Sequence, residues 1–200
     1  MLRVVGILLA AGSSRRFGSN KLLAPLADGT AVCVAAARNL ISVLPDSIAV
    51  VRPGDSELAA LLGAQGLRIV ECAQSEQGMG HTLAAGIGAA DSADAWLIAL
   101  ADMPYVQNST FADLAALLMK GAGLVAPHYQ GQRGHPVGFA VDYRHQLLAL
   151  TGDTGARDLL ARHASALMRL DVDDPGILLD VDTPADLRRE KDLQSGTVTS

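Results

Sequence analysis

Short apolar runs alternate with helix-like patterns along almost the whole chain. Each run is bounded by polar or glycine-containing turns, which is typical of strands buried on both faces of a parallel sheet. The run at 135–141 instead alternates apolar and polar residues, which indicates a partly exposed, antiparallel strand. The segments predicted as strands are 4–10, 47–51, 67–72, 95–101, 124–127, 135–141, 166–172 and 177–180.

The segments between these runs have the period of amphipathic helices. Predicted helices cover 30–44, 56–62, 108–120, 143–150 and 154–163, with one more ending near Ala90 and a last one starting at Thr183. Thr30 and Thr183 are expected to cap their helices. Alternating strands and helices imply right-handed βαβ units. The sequence therefore predicts an α/β Rossmann-like three-layer sandwich, with a mostly parallel sheet and helices on both faces. One domain is expected over 1–194, with a flexible tail at 195–200.

Composition restricts the functional classes. The chain has 200 residues, of which half are apolar, and its net charge is −5. We therefore expect a globular protein without general affinity for nucleic acid or anionic membranes. No apolar stretch reaches the roughly 18 residues of a membrane helix. The first run resembles a short signal peptide, but it continues directly into a polar loop. Cys33 and Cys72 match no zinc or redox spacing and are predicted to be buried, as in a cytoplasmic protein.

The loop after the first run is the main candidate for chemistry. It contains three cations within seven positions, Arg15, Arg16 and Lys21, among small residues. Backbone N–H groups and fixed positive charge together form phosphate sites. Gly12 and Gly18 are separated by five residues, so the loop is neither a P-loop nor a G-x-G-x-x-G fingerprint. An ordinary strand-to-helix turn with surface arginines is the alternative.

Aspartates at two other strand ends form the second candidate feature. Asp102 follows an apolar strand, and Pro104 prevents the strand from continuing. Asp180 and Asp182 are two positions apart and would point the same way in an extended segment. Carboxylates at the carboxyl edge of a sheet can hold a hard cation. The alternatives are that Asp102 caps a turn and that Asp182 caps the last helix.

The loop LAAGSSRRFGSNKLL at 9–23 resembles the signature of the MobA-like nucleotidyltransferases, and is closest to their molybdenum-cofactor cytidylyltransferase branch. The resemblance implies a fold like that of nucleotide-diphospho-sugar transferases. It also implies catalytic roles for Arg16 and Lys21. The residues of this loop implied to bind the nucleotide are Leu9, Ala10, Ala11, Gly12, Arg16 and Lys21.

Further stretches extend the resemblance to almost the whole chain. Residues 77–82 (QGMGHT) resemble a nucleotide-lining element, which implies contacts from Gly78, Gly80 and Thr82 and leaves the role of His81 open. Residues 101–104 (ADMP) and 180–184 (DVDTP) resemble the two metal-binding elements. The Mg²⁺ ligands implied are Asp102, which is also implied to be catalytic, and Asp182, with Asp180 a weaker candidate.

Two last stretches resemble elements beyond the nucleotide site. Residues 132–137 (QRGHPV) imply that Arg133 and His135 border the acceptor, and the alternative is a tight turn into a strand. Residues 152–157 (GDTGAR) are expected to be mainly structural.

The resemblance implies a Mg²⁺-dependent enzyme that transfers CMP from CTP to the phosphate of molybdopterin or its molybdenum form, with release of pyrophosphate. CTP is favoured over GTP because guanine-using relatives typically carry Leu-Ala-Gly-Gly where this chain has Leu9 to Gly12. A molybdenum hydroxylase is the expected recipient of the product. The alternatives are GTP, another acceptor such as a sugar phosphate or methylerythritol phosphate, and a non-catalytic cofactor chaperone.

Overall fold

The structure, a computed structural model, describes residues 2–12 and 20–188. Within these two ranges, eight strands and six α-helices follow one another, joined by turns and short 3₁₀ helices. The strands are β1 Val4–Leu9, β2 Ile48–Val51, β3 Arg68–Glu71, β4 Ala95–Leu100, β5 Leu124–Tyr129, β6 Gln132–Arg133, β7 Val137–Ala140 and β8 Met168–Asp171. The helices are α1 Val32–Ile41, α2 Ser56–Ala64, α3 Met79–Ala89, α4 Asn108–Met119, α5 Arg144–Leu148 and α6 Arg157–Arg162.

The strands form one mixed sheet along the path β3-β2-β1-β4-β7-β5-β6, with β8 paired to β5. Val125 pairs with both Gly138 of β7 and Met168 of β8, so β8 lies on the opposite side of β5 from β7. The pairs β1–β2, β1–β4, β2–β3 and β5–β8 are parallel, whereas β7 runs antiparallel to β4 and β5. The predicted mostly parallel α/β sheet and its antiparallel strand are confirmed. The predicted partial exposure of that strand is wrong, because β7 lies between β4 and β5 and is buried from Val137 to Phe139.

The core lies in two layers, one on each face of the sheet. Alternate residues of β1 enter opposite layers: Leu8 packs with α1, α2 and α4, and Ile7 packs with α3, α5 and α6. Both side chains are fully buried, and the other side chains of β1 are less than one tenth exposed. A strand apolar at every position therefore requires helices on both faces.

Cys33 and Cys72 are buried free thiols within these layers, as predicted. Across the part of the chain described, every helix is too short or too polar to cross a bilayer.

Two local predictions are wrong, and in both cases an aspartate explains the difference. Residues 177–180 were predicted as a strand, but Pro175–Leu178 forms a 3₁₀ helix whose first turn is capped by Asp174. Thr30 does not cap α1, because its hydroxyl donates to the Asp28 carboxylate at 2.8 Å and the helix begins at Val32. Short polar side chains compete for local backbone and side-chain donors, and periodicity alone does not reveal which donor they bind.

The segment after β8 is held against the start of α4 by one buried carboxylate. Asp174 is only 2% exposed and accepts hydrogen bonds from the Thr110 hydroxyl at 2.6 Å, the Gln107 N–H at 2.9 Å and the Gly176 N–H at 2.9 Å. A Cβ on Gly176 would overlap the Tyr105 carbonyl. A buried carboxylate is tolerated where donors and a helix N-terminus surround it. By these bonds Asp174 fixes the position of the chain a few residues before the 180–182 segment.

Replacing Asp174 with alanine should lower the free energy of unfolding by about 2–4 kcal/mol, because three donors, those of buried Thr110 and Gly176 and that of Gln107, lose a charged acceptor. Urea denaturation followed by circular dichroism measures this change. Asp173→Asn, an exposed neighbour, is the matched control and should stay within about 0.5 kcal/mol of the wild type. Equal stability of Asp174→Ala and the control would contradict the anchoring role.

Candidate functional site

The candidate site lies where β1 and β4 end side by side. The chain passes from β1 through β2 to β3 on one side and then crosses to β4 on the other, so this is the switch point of the sheet. Leu9 pairs with Leu100, and the Ala101 N–H donates to the Leu9 carbonyl at 3.1 Å. Ligands of open α/β sheets bind at this position. Asp102 follows directly and so faces the entrance to the loop after β1.

Lys21 is fixed by the residues on both sides of it. It begins a 3₁₀ helix, Lys21–Leu23, and the Asn20 side chain accepts a hydrogen bond from the Leu22 N–H at 3.2 Å. The Asn20 amide also donates to Asp55 Oδ2 at 3.2 Å, and Leu22 is buried in the core. The backbone of Lys21 is thus anchored, which leaves its long side chain to reach across the sheet edge.

The Lys21 ammonium lies between two carboxylates that are distant in sequence. Its Nζ is 2.8 Å from Asp102 Oδ2 and 2.7 Å from Asp182 Oδ1. The three side chains are 14%, 24% and 45% exposed, respectively. Partial burial disfavours the charged ammonium, but the hydrogen bonds and charges of the two aspartates outweigh this effect and raise the pKa of Lys21. Lys21 is therefore a fully charged cation at neutral pH.

Asp182 reaches this position because its neighbours are tied down. The Val181 N–H donates to the Asp102 carbonyl at 2.8 Å, and the Val181 side chain is buried. On the other side, Asp186 Oδ2 accepts hydrogen bonds from the Thr183 N–H at 2.7 Å and the Thr183 hydroxyl at 2.8 Å. Thr183 was predicted to cap the last helix with its own hydroxyl, but Asp186 is the acceptor here. Described residues end within the 3₁₀ helix Asp186–Arg188, so the remainder of that predicted helix lies outside them.

The acidic residues of the site suit a hard divalent cation. Asp102, Asp180 and Asp182 each offer a carboxylate oxygen, and these atoms lie within 4.8 Å of one another. Oxygen ligands are those that Mg²⁺ and Mn²⁺ prefer, and the Lys21 ammonium already serves as a cation between two of them. Burial, followed by the charges of Asp182 and Asp102, raises the pKa of Asp180. Asp180, the weaker candidate of the sequence, thus lies with the other two.

The nucleotide-binding residues predicted after β1 divide into two groups. The side chains of Leu9, Ala10 and Ala11 are buried in the core, so a ligand could reach only their backbone. Gly12 is exposed, and a Cβ there would meet nothing within 4 Å. Arg16 lies outside the described residues. The contacts of these residues with a nucleotide stay predictions.

The glycines at the start of α3 contact another loop of the protein. A Cβ on Gly80 would lie 2.6 Å from the Thr151 carbonyl oxygen, and a Cβ on Gly78 would overlap the Gly152 carbonyl. The Gly80 N–H donates to the Gly152 carbonyl at 2.8 Å. Close packing of 151–153 thus accounts for both glycines. Thr82, in the first turn of α3, is 4% exposed, which leaves little of its surface for a ligand. The predicted nucleotide contacts of these three residues stay predictions.

Of the two predicted acceptor-binding residues, the structure brings His135 close to Asp102. Arg133 of β6 is exposed and pairs with His128 near the carboxyl end of β5. The His135 N–H donates to the Ile177 carbonyl at 3.0 Å, and a Cβ on Gly134 would overlap the same carbonyl. His135 Nδ1 is buried without a hydrogen-bond partner among the described residues. Burial lowers the pKa of His135 to about 4, although the Asp102 charge opposes this shift. His135 is therefore a neutral imidazole close to Asp102.

A cavity of about 560 Å³ opens beside Asn20, the residue before Lys21, and the sequence did not reveal it. Ser75 in its wall is 8% exposed, and its hydroxyl has no hydrogen-bond partner within the described ranges. Asp55, which holds Asn20, could have been found as a polar residue shortly after a buried strand. The cavity is lined by Asn20, Arg52, Pro53, Gly54, Asp55, Ala73, Ser75 and Glu76.

A doubly wound sheet with a lysine and carboxylates at its switch point is an arrangement suited to nucleotidyl transfer. The chain belongs to the MobA-like NTP transferase family, because the sequence profile of the MobA-like NTP transferase domain matches residues 6–167. It is therefore an enzyme of the nucleotidyltransferase class, as the sequence predicted.

Among curated relatives, the chain is 31% identical to the purine catabolism protein PucB of Bacillus subtilis (strain 168). That match covers 90% of this chain and 92% of PucB. The chain is 29% identical to the nicotine blue oxidoreductase of Paenarthrobacter nicotinovorans, over 93% of this chain and 95% of that protein.

Among solved structures, Rv0371c of Mycobacterium tuberculosis H37Rv superimposes with a TM-score of 0.83 and 27% identity, over 94% of this chain and 96% of Rv0371c. A complex of Rv0371c with manganese superimposes with a TM-score of 0.75 over 94% of this chain and 97% of that one.

Because His135 is held neutral, acid should destabilise the protein through this residue. The stability that neutral His135 contributes is fully present above pH 6.5 and is lost as the pH falls towards about 4. Over this range His135 binds a proton in the unfolded chain but not in the folded protein. Over that range the wild type should lose up to about 3 kcal/mol more than His135→Gln. Urea denaturation at a series of pH values measures this difference. His145→Gln, an exposed control, should follow the wild type. A His135→Gln curve parallel to that of the wild type would contradict the buried neutral state.

Proposed function

We propose that this protein transfers CMP from CTP to the terminal phosphate of molybdopterin or its molybdenum form, in the cytoplasm, and releases pyrophosphate. The observation that carries the proposal is the contact of Lys21 with Asp102 and Asp182 at the switch point of the sheet. One fixed cation and a set of carboxylates for a second, divalent cation are what transfer between phosphates requires.

In this mechanism an oxygen of the acceptor phosphate attacks the α-phosphorus of the nucleotide. The new O–P bond forms as the bond from the α-phosphorus to the pyrophosphate oxygen breaks, and pyrophosphate leaves with that electron pair. Lys21 offsets the negative charge that develops on the phosphates, and Arg16 is predicted to assist it. The protein contributes position and charge rather than a covalent nucleophile.

Asp102 and Asp182, with Asp180 as a third ligand, would hold Mg²⁺. When bound, such an ion supplies Lewis-acid stabilisation of phosphate oxygens. The solved complex of the similar protein Rv0371c with manganese supports a divalent cation here.

The nucleotide and the acceptor are proposed from separate observations. The cavity beside Asn20 and Ser75 is a suitable place for a base, since Asn20 directly precedes Lys21 and the Ser75 hydroxyl has no hydrogen-bond partner among the described residues. Cytosine is proposed because Ala11 stands where guanine-using relatives typically have glycine. His135 lies near Asp102 and, together with Arg133 of β6, would border the acceptor. The names of the purine catabolism protein and the oxidoreductase among the relatives fit a product delivered to a molybdenum hydroxylase.

An oxidoreductase is the second candidate, because one relative carries that name. The loop after β1 lacks the G-x-G-x-x-G fingerprint of dinucleotide-binding folds, with five residues between Gly12 and Gly18. Absorbance of NADH or NADPH during incubation with the protein and a quinonoid dye distinguishes the two functions. Oxidation of the coenzyme without any release of pyrophosphate from CTP would favour the oxidoreductase.

Asp102→Asn should lower the rate of pyrophosphate release at least about 100-fold, because the variant loses a carboxylate that faces both Lys21 and the metal. A coupled phosphate assay measures the rate, and circular dichroism verifies the fold. Asp113→Asn, on the exposed face of α4, is the control and should retain wild-type activity. If Asp102→Asn still restores a molybdenum hydroxylase in cells, the chaperone alternative is favoured over catalysis.

Incubation with molybdopterin should give the cytosine dinucleotide, with CTP used at least about tenfold more efficiently than GTP. Mass spectrometry of the products identifies both the base and the acceptor. Parallel reactions with a sugar phosphate and with methylerythritol phosphate test the other acceptors. Efficient turnover of either one without turnover of molybdopterin would reject the proposed acceptor.

A further inference from the structure

We propose that the Lys21 ammonium takes the place of the divalent cation in the nucleotide-free protein and leaves these carboxylates when the metal-bound nucleotide arrives. In this role Lys21 keeps the 180–182 segment against Asp102 before catalysis begins. The inference rests on the metal site proposed above and adds an order of events to it: metal and nucleotide bind together, and the metal alone binds weakly.

The geometry supports competition between the two cations for the same atoms. Nζ of Lys21 is 2.8 Å from Asp102 Oδ2 and 2.7 Å from Asp182 Oδ1. Mg²⁺ binds carboxylate oxygens at about 2.0–2.1 Å. An ion held by these two oxygens on the side where the ammonium lies would overlap it. One of the two cations therefore has to leave.

The charges explain why a cation is needed at all times. Asp102, Asp180 and Asp182 converge within 4.8 Å, and like charges at that distance repel strongly in a partly buried site. Removing one partner from a partly buried ion pair leaves an uncompensated charge. Lys21 prevents this in the free protein. The bond from Val181 to the Asp102 carbonyl then keeps the two carboxylates aligned.

The lysine side chain can move without disturbing its backbone. Lys21 has a flexible four-carbon stem, while Asn20 and Leu22 fix the chain on either side. A triphosphate would offer the displaced ammonium new anionic partners, whereas a metal ion alone would not. Displacement is consequently favourable only when nucleotide and metal arrive together. By thermodynamic linkage each should strengthen the binding of the other.

Titration with Mn²⁺ alone, followed by electron paramagnetic resonance of the free ion, tests this role without any turnover. Lys21→Met keeps most of the side-chain volume and removes the charge. It should bind Mn²⁺ about tenfold or more tightly than the wild type in the absence of nucleotide, because the competing cation is gone. Lys120→Met, an exposed lysine at the end of α4, should bind as the wild type does.

A second measurement uses the unaltered protein, so it does not depend on the variant folding. A non-hydrolysable CTP analogue should increase the affinity of the wild type for Mn²⁺ at least about tenfold, and this gain should shrink in Lys21→Met. Equal or weaker Mn²⁺ binding by folded Lys21→Met, or no gain from the analogue in the wild type, would overturn the inference. Unchanged Mn²⁺ binding by Asp102→Asn would instead reject the proposed metal site itself.

Discussion

The ion bridge from Lys21 to Asp102 and Asp182 is the interaction on which the candidate site depends. It joins segments from the start, the middle and the end of the chain at one edge of the sheet. Without a cation the two carboxylates would repel each other, and the 180–182 segment would keep only contacts such as the hydrogen bond from Val181 and the burial of its side chain. The site is thus assembled by electrostatics on a scaffold that hydrophobic burial has already formed.

The aspartates of this region have two distinct roles, and the role of each one follows from its burial and its partners. Asp174 and Asp186 are 2% and 6% exposed, and neighbouring N–H and hydroxyl groups satisfy them, so they determine the path of the chain. Asp102 and Asp182 remain partly exposed and face a cation instead. Burial together with the kind of donor therefore distinguishes a structural carboxylate from one available to a ligand.

The lysine also connects the carboxylates to the neighbouring cavity. Asn20, one residue before Lys21, lines that cavity and donates to Asp55 on its wall. A molecule that filled the cavity and contacted Asn20 would therefore act on the residue that anchors the backbone of Lys21. Neutral His135 lies near Asp102 and adds no positive charge to the site at neutral pH. Lys21 thus supplies the positive charge between Asp102 and Asp182, next to a residue that lines the cavity.

The sequence by itself determined the alternation of buried strands and helices, the loop that follows β1, and the aspartate that ends β4. These features are local, since burial on both faces and turn chemistry leave their pattern within a few residues. Only the tertiary structure decided that Asp174 replaces a predicted strand with a 3₁₀ turn, that Gly78 and Gly80 accommodate another loop, and that Lys21 meets Asp182. Those contacts join residues far apart in the chain, and no periodicity or spacing records which distant partner a side chain will find.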